Sequence, residues 1–163
     1  MPEKKTRAAA AKDKKQGKAP STQAGEYVRE EIEHVREGKH GARSTRQAIA
    51  IGLSKARRDG IKVPAGKSVT KATKKKAKQD EAAAHDHHKR APKRAAASKE
   101  ALKKEGTKAA SKSALSRHAS KSAAKRSDSA RSAAAKKAAK TKGASGRSAA
   151  AKKAARTRAR NAS

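Results

Sequence analysis

The sequence predicts a small all-α protein, a helical hairpin followed by a long disordered basic tail. Nearly all of the bulky apolar residues lie within residues 21–64, where two stretches repeat them at helical spacing. After Pro64, the only large apolar side chains of the sequence are Val69, Leu102 and Leu115, which are too few to bury a core. These observations predict order in the hairpin and disorder in the tail.

The chain is expected to have three parts. Residues 1–20 are predicted to be a disordered basic arm, residues 21–64 the hairpin, and residues 65–163 the tail. Charge follows this division. Residues 1–64 carry 16 basic and 8 acidic groups, a net charge of +8, whereas residues 65–163 carry 30 basic and 6 acidic groups, a net charge of +24.

The first helix of the hairpin is expected over about residues 22–37. Ser21 or Thr22 is suited to cap its start, and Gly38 is suited to end it. An apolar stripe is formed by Ala24, Val28, Ile32 and Val35. Carboxylates occupy the opposite side at helical spacing, at Glu26, Glu30, Glu33 and Glu37. The prediction is therefore a helix with an apolar face and an acidic back.

The second helix is expected over about residues 45–59. Ser44 and Gln47 fit a capping box, in which each side chain satisfies a free amide at the helix start. Gly60 is a natural stop, and the apolar arc is formed by Ala48, Ile49, Gly52, Leu53 and Ala56. Because the linker is short, the two apolar faces are expected to meet in an antiparallel hairpin. So small a hairpin is marginal alone, which predicts self-association or a protein partner.

The tail contains an internal repeat. RSAAAKKAAKT at 131–141 recurs as RSAAAKKAART at 147–157, with Gly143 and Gly146 between the two copies. Alanine is the best helix former, yet repulsion between lysines is expected to keep these segments unfolded in water. Neutralised by a bound polyanion, they are expected to become short helices, the first capped by Ser127 or Asp128 and the second by Ser145.

Composition limits the function. The chain has 46 Lys and Arg against 14 Asp and Glu, a net charge of +32, and no cysteine. Such an excess predicts binding to polyanions almost regardless of fold, and the lack of cysteine excludes disulfides and thiolate chemistry. The sequence contains no apolar run of membrane-spanning length, no secretory signal and no phosphate-binding or dinucleotide motif. We expect a cytoplasmic protein that is not an enzyme, needs no cofactor and has no membrane partner.

Lysine and arginine side chains displace condensed counterions from phosphates, which drives association without sequence reading. Tyr27 is the single aromatic residue, so base stacking is unavailable, and this favours duplex DNA over RNA. The cations assigned to nucleic acid in the hairpin are Arg43, Arg46, Lys55, Arg57 and Arg58. Those assigned in the tail are Lys74, Lys75, Lys76, Lys136, Lys137, Lys140, Lys152, Lys153, Arg156, Arg158 and Arg160.

Histidines provide the metal-like patterns of the sequence. The HDHH motif places His85, His87 and His88 together, and imidazoles can ligate zinc or nickel. A metal site needs a scaffold, and this motif is expected in the disordered tail, so no metal is assigned to it. His34 and His40, near the turn between the helices, are interpreted as surface histidines with Glu37 as a pairing partner.

Two parts of the chain show a resemblance. The block EGKHGARSTRQAIAIGLSKARR, within residues 21–64, resembles a family of small basic bacterial proteins catalogued as a domain of unknown function. This resemblance implies bacterial origin and supplies no activity. The tail resembles, in composition, the Lys/Ala-rich tails of linker histones and bacterial histone-like proteins, although their proline-containing repeats and Ser-Pro sites are missing.

The tail's resemblance implies DNA compaction at the nucleoid. The favoured interpretation is a histone-like, nucleoid-associated protein that binds duplex DNA largely without sequence preference. Two alternatives stay open at this point. One is an adaptor whose hairpin binds a protein partner or a second copy, and the other is a basic protein associated with RNA or the ribosome.

Overall fold

A computed structural model describes residues 2–66, 69–84 and 92–162, and these ranges are helical without strands. The helices are α1 (Lys4–Lys15), α2 (Pro20–Arg36), α3 (Thr45–Arg58), α4 (Lys71–Ala82), α5 (Pro92–Lys103), α6 (Lys112–Ala124) and α7 (Asp128–Ala162). A short 3-10 helix, Lys108–Ala110, precedes α6. The chain divides into two units, residues 1–118 and 119–163, with the boundary inside α6. No described helix combines the length and the apolarity that crossing a bilayer requires.

The prediction of a two-helix hairpin with a long disordered tail is wrong. Helices α2 and α3 coincide with the two expected helices, but the described residues contain five further helices, four of them after residue 64. The sequence argument counted large apolar side chains and gave the repulsion between lysines more weight than the helix propensity of alanine. Alanine stabilises a helix without burying a large side chain, because it loses no side-chain entropy there, and the segments after residue 64 are rich in alanine.

Residues 1–20, expected to be a disordered arm, contain α1, which packs against α2. Ala10 of α1 is buried in a cluster with Tyr27. Arg7 reaches the end of α3, where its Nε donates to Asp59 Oδ2 at 2.9 Å and its Nη2 lies 2.7 Å from Asp59 Oδ1. The hydroxyl of Tyr27 donates to the same carboxylate. Helix α1 is therefore joined to both hairpin helices.

Helices α2 and α3 run antiparallel, since Tyr27 of α2 meets Asp59 at the end of α3, whereas Glu31, one turn later in α2, meets Lys55, one turn earlier in α3. The crossing is close at Gly52. A Cβ added there would lie 2.7 Å from Val28 Cα and 3.0 Å from the carbonyl oxygen of Tyr27. Only a residue without a side chain allows the two backbones to approach this closely.

The predicted ends of the two helices agree with the structure at all but one position. Ser44 caps α3 and accepts a hydrogen bond from the Gln47 amide at 3.2 Å. Gly38 and Gly60 follow the C-terminal caps of α2 and α3 with φ of +72° and +88°, a region that glycine adopts freely. The expected cap at Ser21 or Thr22 is wrong, because α2 begins at Pro20, whose fixed φ suits a first helical position.

Small side chains form most of the core in the first unit. One cluster of buried residues is Ala10, Ala24, Tyr27, Ala56 and Val63, with Leu53 and Ile61 packed against it. The other is Val35, Ala42, Ala48 and Ala110, with Ile32 and Ala109 packed against it. These clusters contain most of the two predicted apolar faces. They also contain residues of α1 and of the 3-10 helix, so the same chain supplies cover that the hairpin was expected to obtain from a partner.

The turn between α2 and α3 is covered by residues 102–110. The amide of Gly41 donates to the Leu102 carbonyl at 2.9 Å, and the amide of Ala42 donates to the Gly106 carbonyl at 3.0 Å. A Cβ on Gly41 would overlap the backbone of Glu105. Part of the predicted tail is thus bound to the hairpin by backbone hydrogen bonds, which leave no side-chain pattern in the sequence.

Helix α7 makes up most of the second unit, and nearly all of its described side chains are exposed. Ser127 caps it by accepting from the Ala130 amide at 3.2 Å, as expected. Gly143 has non-helical angles, φ +67° and ψ 172°, so the helix is interrupted between the two copies of the repeat. Arg147 Nη1 donates across the interruption to the Ala139 carbonyl at 2.7 Å. The repeats are helical in the chain alone, whereas the sequence predicted helix only on a polyanion.

Replacing Gly52 by alanine tests the close crossing of α2 and α3. We expect Gly52→Ala to lower the free energy of unfolding by about 1–3 kcal/mol, because the added methyl group must push the two backbones apart. Urea unfolding followed by circular dichroism measures the change. The matched control is Gly25→Ala in α2, where an added Cβ meets no atom within 4 Å. It should raise stability by about 0.5–1 kcal/mol, and equal effects of the two substitutions would contradict the crossing.

Candidate nucleic-acid interface

The predicted nucleic-acid cations of the first unit divide into two groups. Arg43 and Arg46, at the start of α3, have exposed side chains. The lysines that follow Thr73 on α4 are exposed as well, namely Lys74, Lys75 and Lys76. Of these, Lys76 lies 3.4 Å from the carboxylate of Asp80. These side chains are accessible to a phosphate as the structure stands.

Three other predicted cations are engaged inside the first unit. Lys55 Nζ lies 2.6 Å from Glu31 Oε2. Arg57 is only 9% exposed, and its Nε donates to the carbonyl of Val63 at 2.9 Å. Arg58 is bound to Asp80. The assignment of Lys55, Arg57 and Arg58 to phosphate stays a prediction. Binding a phosphate would require these side chains to give up the contacts described above.

Arg58 and Asp80 join α3 to α4. Arg58 donates to Asp80 Oδ1 from Nε at 3.0 Å and from Nη2 at 2.8 Å. Burial acts to raise the pKa of Asp80, but hydrogen bonds from Ser54 and Arg58 outweigh it and lower that pKa below its usual value. The carboxylate is thus held in its charged form, and α4 is fixed to the hairpin at this point.

The predicted acidic back of α2 is partly covered by Glu3 and α1. Glu30 is 2% exposed, and its Oε2 accepts from the backbone amide of Glu3 at 3.1 Å. The pKa of Glu3 is lowered to about 2, first by its hydrogen bond with His34 and then by that with Lys5. Glu26 pairs with Arg29 and Glu37 with Lys39, so three of the four carboxylates of the predicted acidic back are engaged by groups of the same chain.

Helix α7 has a different charge environment. The predicted cations on it are all exposed, namely Lys136, Lys137, Lys140, Lys152, Lys153, Arg156, Arg158 and Arg160. The single carboxylate of α7 is that of Asp128, which pairs with Arg131. Lys152, Arg156 and Arg160 follow one another at intervals of four residues within continuous helix and so share one face. Dense, exposed and largely uncompensated positive charge is what phosphate neutralisation requires.

The histidines of the hairpin form a cluster that the sequence analysis missed. Ligand atoms of Glu31, His34 and His40 all lie within 4.8 Å of one another. Glu31 and His34 are three residues apart on a helix and so share a face, a spacing visible in the sequence. The turn brings His40 to them, which the sequence did not predict. The HDHH motif, with His85, His87 and His88, lies outside the described residues.

Comparison with known proteins finds a family match in the N-terminal part of the chain. Residues 4–67 match the family of unknown function DUF6496. This segment, the DUF6496 segment, contains α1, α2 and α3, so the expected match to a family of unknown function is confirmed over residues 21–64 and extends to α1. No curated protein and no solved structure matches the chain. The comparisons give no support to the resemblance between the tail and histone tails.

Substitution of Asp80 tests the bond between α3 and α4. We expect Asp80→Asn to cost about 1.5–3 kcal/mol of stability at pH 7, because Arg58 loses a charged hydrogen-bond acceptor. A carboxylate with a lowered pKa stabilises the fold above its unfolded-state pKa of about 3.9, and this contribution disappears as the pH falls through its folded-state pKa. The difference between variant and parent should therefore shrink at pH 3, which urea unfolding at both pH values measures.

The matched control for this substitution is Glu37→Gln. Glu37 also pairs with a lysine, Lys39, at 2.9 Å, but its side chain is 55% exposed. Exposed pairs contribute about 0–1 kcal/mol, so Glu37→Gln should change stability much less. A penalty for Asp80→Asn that is no larger than that of Glu37→Gln would show that Asp80 does not hold α4.

Proposed function

We propose that this protein binds duplex DNA without sequence preference, and that α7 provides most of the contact by neutralising phosphates. The observation that carries this proposal is the contrast between the two units. Cations of the DUF6496 segment such as Arg7 and Lys55 are paired with carboxylates of the same segment. The cations of α7 are exposed, and the helix contains one carboxylate, Asp128.

The mechanism follows from the composition of α7. Each lysine or arginine that meets a phosphate releases a condensed counterion into solution, and the entropy of that release favours binding. Alanine occupies most of the positions between the cations, and its small side chain allows the helix to approach the duplex closely. Lysine acts as a flexible point charge that follows the backbone without reading bases. Location at the nucleoid is part of the same proposal.

The DUF6496 segment has a supporting role in this proposal. Its exposed cations at the start of α3, Arg43 and Arg46, add phosphate contacts next to a folded unit. The carboxylates around α1 and α2 are engaged with partners of the same chain, so they repel the duplex less than free carboxylates would.

Charge removal in the two repeats tests the proposal. The variant carries Lys136→Gln, Lys137→Gln, Lys152→Gln and Lys153→Gln in the full chain, and glutamine keeps a helix propensity close to that of lysine. We measure binding to a 30-base-pair duplex by fluorescence anisotropy between 50 and 200 mM salt. Each lost phosphate contact should make the slope of log K against log salt shallower by about 0.9, so by about 3.6 if all four lysines bind phosphates.

The matched control removes the same charge from the DUF6496 segment. Its substitutions are Lys12→Gln, Lys14→Gln, Lys15→Gln and Lys62→Gln, all at exposed positions. We expect a clearly smaller change in slope for this control. Equal slopes for the two variants would mean that binding follows net charge alone and would overturn the role of α7. Stronger competition by duplex RNA of the same length than by DNA would overturn the choice of DNA.

A further inference from the structure

Three potential metal ligands meet at the C-terminal end of α2. Glu31 and His34 come from the helix, and His40 comes from the turn that follows it. Their ligand atoms all lie within 4.8 Å of one another. The rings of His34 and His40 are in edge-to-face contact, with centroids 6.1 Å apart. Two imidazoles and one carboxylate form a donor set that suits zinc.

Glu31 is the unusual member of this cluster, because its side chain is completely buried. Neither of its carboxylate oxygens has a hydrogen-bond partner among the described residues. Its contacts are ionic, with Lys55 Nζ 2.6 Å from Oε2 and His40 Nε2 3.3 Å from Oε1. The oxygen that lies near His40 is thus Oε1, the one that Lys55 does not approach most closely, and no hydrogen bond in the described part of the chain uses it.

The buried charges beside the cluster are not balanced. Glu30 and Glu31 are both buried, and Glu30 Oε1 also lacks a hydrogen-bond partner in the described part of the chain. A single ammonium group, that of Lys55, lies near both carboxylates, 3.6 Å from Glu30 and 2.6 Å from Glu31. Two buried negative charges with one positive charge create a demand for a further cation, because burying an uncompensated carboxylate is costly.

We propose that Glu31, His34 and His40 bind a zinc ion. Zinc takes carboxylate oxygen and imidazole nitrogen at about 2.0–2.2 Å, which places the donors of a tetrahedral site about 3.4 Å apart. Donors already within 4.8 Å reach that separation by small side-chain rotations. The fourth position falls to water or to Glu3, whose Oε1 lies 2.9 Å from His34 Nε2.

A bound ion would join elements that otherwise meet through small side chains. The ligands come from α2 and from the turn, and Lys55 of α3 contacts Glu31 from the other side. The next residue after His40 is Gly41, whose amide binds the segment at residue 102. Zinc at this place would therefore stabilise the hairpin, its turn and the segment that covers the turn, in a unit with few large apolar residues.

The test uses the full chain with the HDHH motif removed, so that His85, His87 and His88 do not bind the added metal. In this background, which carries Asn at those three positions, zinc is titrated against a chromogenic chelator. We expect one tight equivalent. Adding His34→Asn or His40→Asn should weaken binding at least about tenfold, the lower end of the loss seen for residues that only support a ligand. The matched control is His118→Asn on α6, which should leave zinc affinity unchanged.

Two measurements keep the proposal testable if a variant folds poorly. Zinc should raise the thermal unfolding midpoint of the background protein, since an ion that binds only the folded state stabilises it, and should not raise that of His34→Asn. X-ray absorption at the zinc edge of the background protein should show two imidazoles at about 2.0–2.1 Å. The proposal is overturned if the background binds no zinc tightly, if it binds zinc with fewer than two imidazoles, or if His118→Asn weakens zinc binding as much as His34→Asn.

Discussion

The close contact between α2 and α3 at Gly52 is the constraint on which the rest of the first unit depends. With the two backbones this near, side chains of α2 contact those of the C-terminal half of α3. Lys55 of α3 meets Glu31 of α2, and Asp59, at the end of α3, meets Tyr27. Helix α1 attaches to this pair of helices through Asp59, and the histidine cluster meets it at Glu31.

A close crossing also explains how a chain with few large apolar residues is ordered. Helices that approach through glycine and alanine bury backbone and methyl groups rather than long side chains, so the apolar area is small. Ion pairs at the edges of the core hold the other helices in place where apolar contact is small. Arg7 with Asp59 attaches α1, and Arg58 with Asp80 attaches α4. Partly exposed pairs of this kind weaken as salt screens them, whereas burial of apolar surface does not.

The sequence predicted the helices that depend on a local pattern of residues. It missed the elements whose position depends on contacts between residues far apart in the chain. Helices α2 and α3 follow from apolar spacing and from the cap at Ser44, and both are in the structure. Helix α1 has no such pattern, because its buried residues are Thr6, Ala10 and Asp13. Its partner Asp59 lies 52 residues from Arg7, and nothing in the sequence joins the two.

The two candidate sites differ in how far the sequence could predict them. Exposed cations on α7 were predictable, because exposure is the ordinary state of lysine and no acidic partner lies nearby in the sequence. The cluster around Glu31 was missed because the apolar and acidic spacings of α2 left Glu31 on neither predicted face and placed Glu30 on the acidic back. Burial of Glu30 and Glu31 depends on α1 and on Lys55, which approach from other parts of the chain.

The distribution of charge matters more for polyanion binding than the total of +32. A cation already paired with a carboxylate must give up that pair before it can displace a counterion from a phosphate, so it adds less to the affinity for a polyanion. Residues 1–64 have one acid for every two bases and use many of those pairs to hold helices together, whereas residues 65–163 have 30 bases and 6 acids. Under the proposed function, fold stability and phosphate binding therefore draw on different cations of the same chain, and substitutions in α7 are expected to change phosphate binding without changing the stability of the first unit.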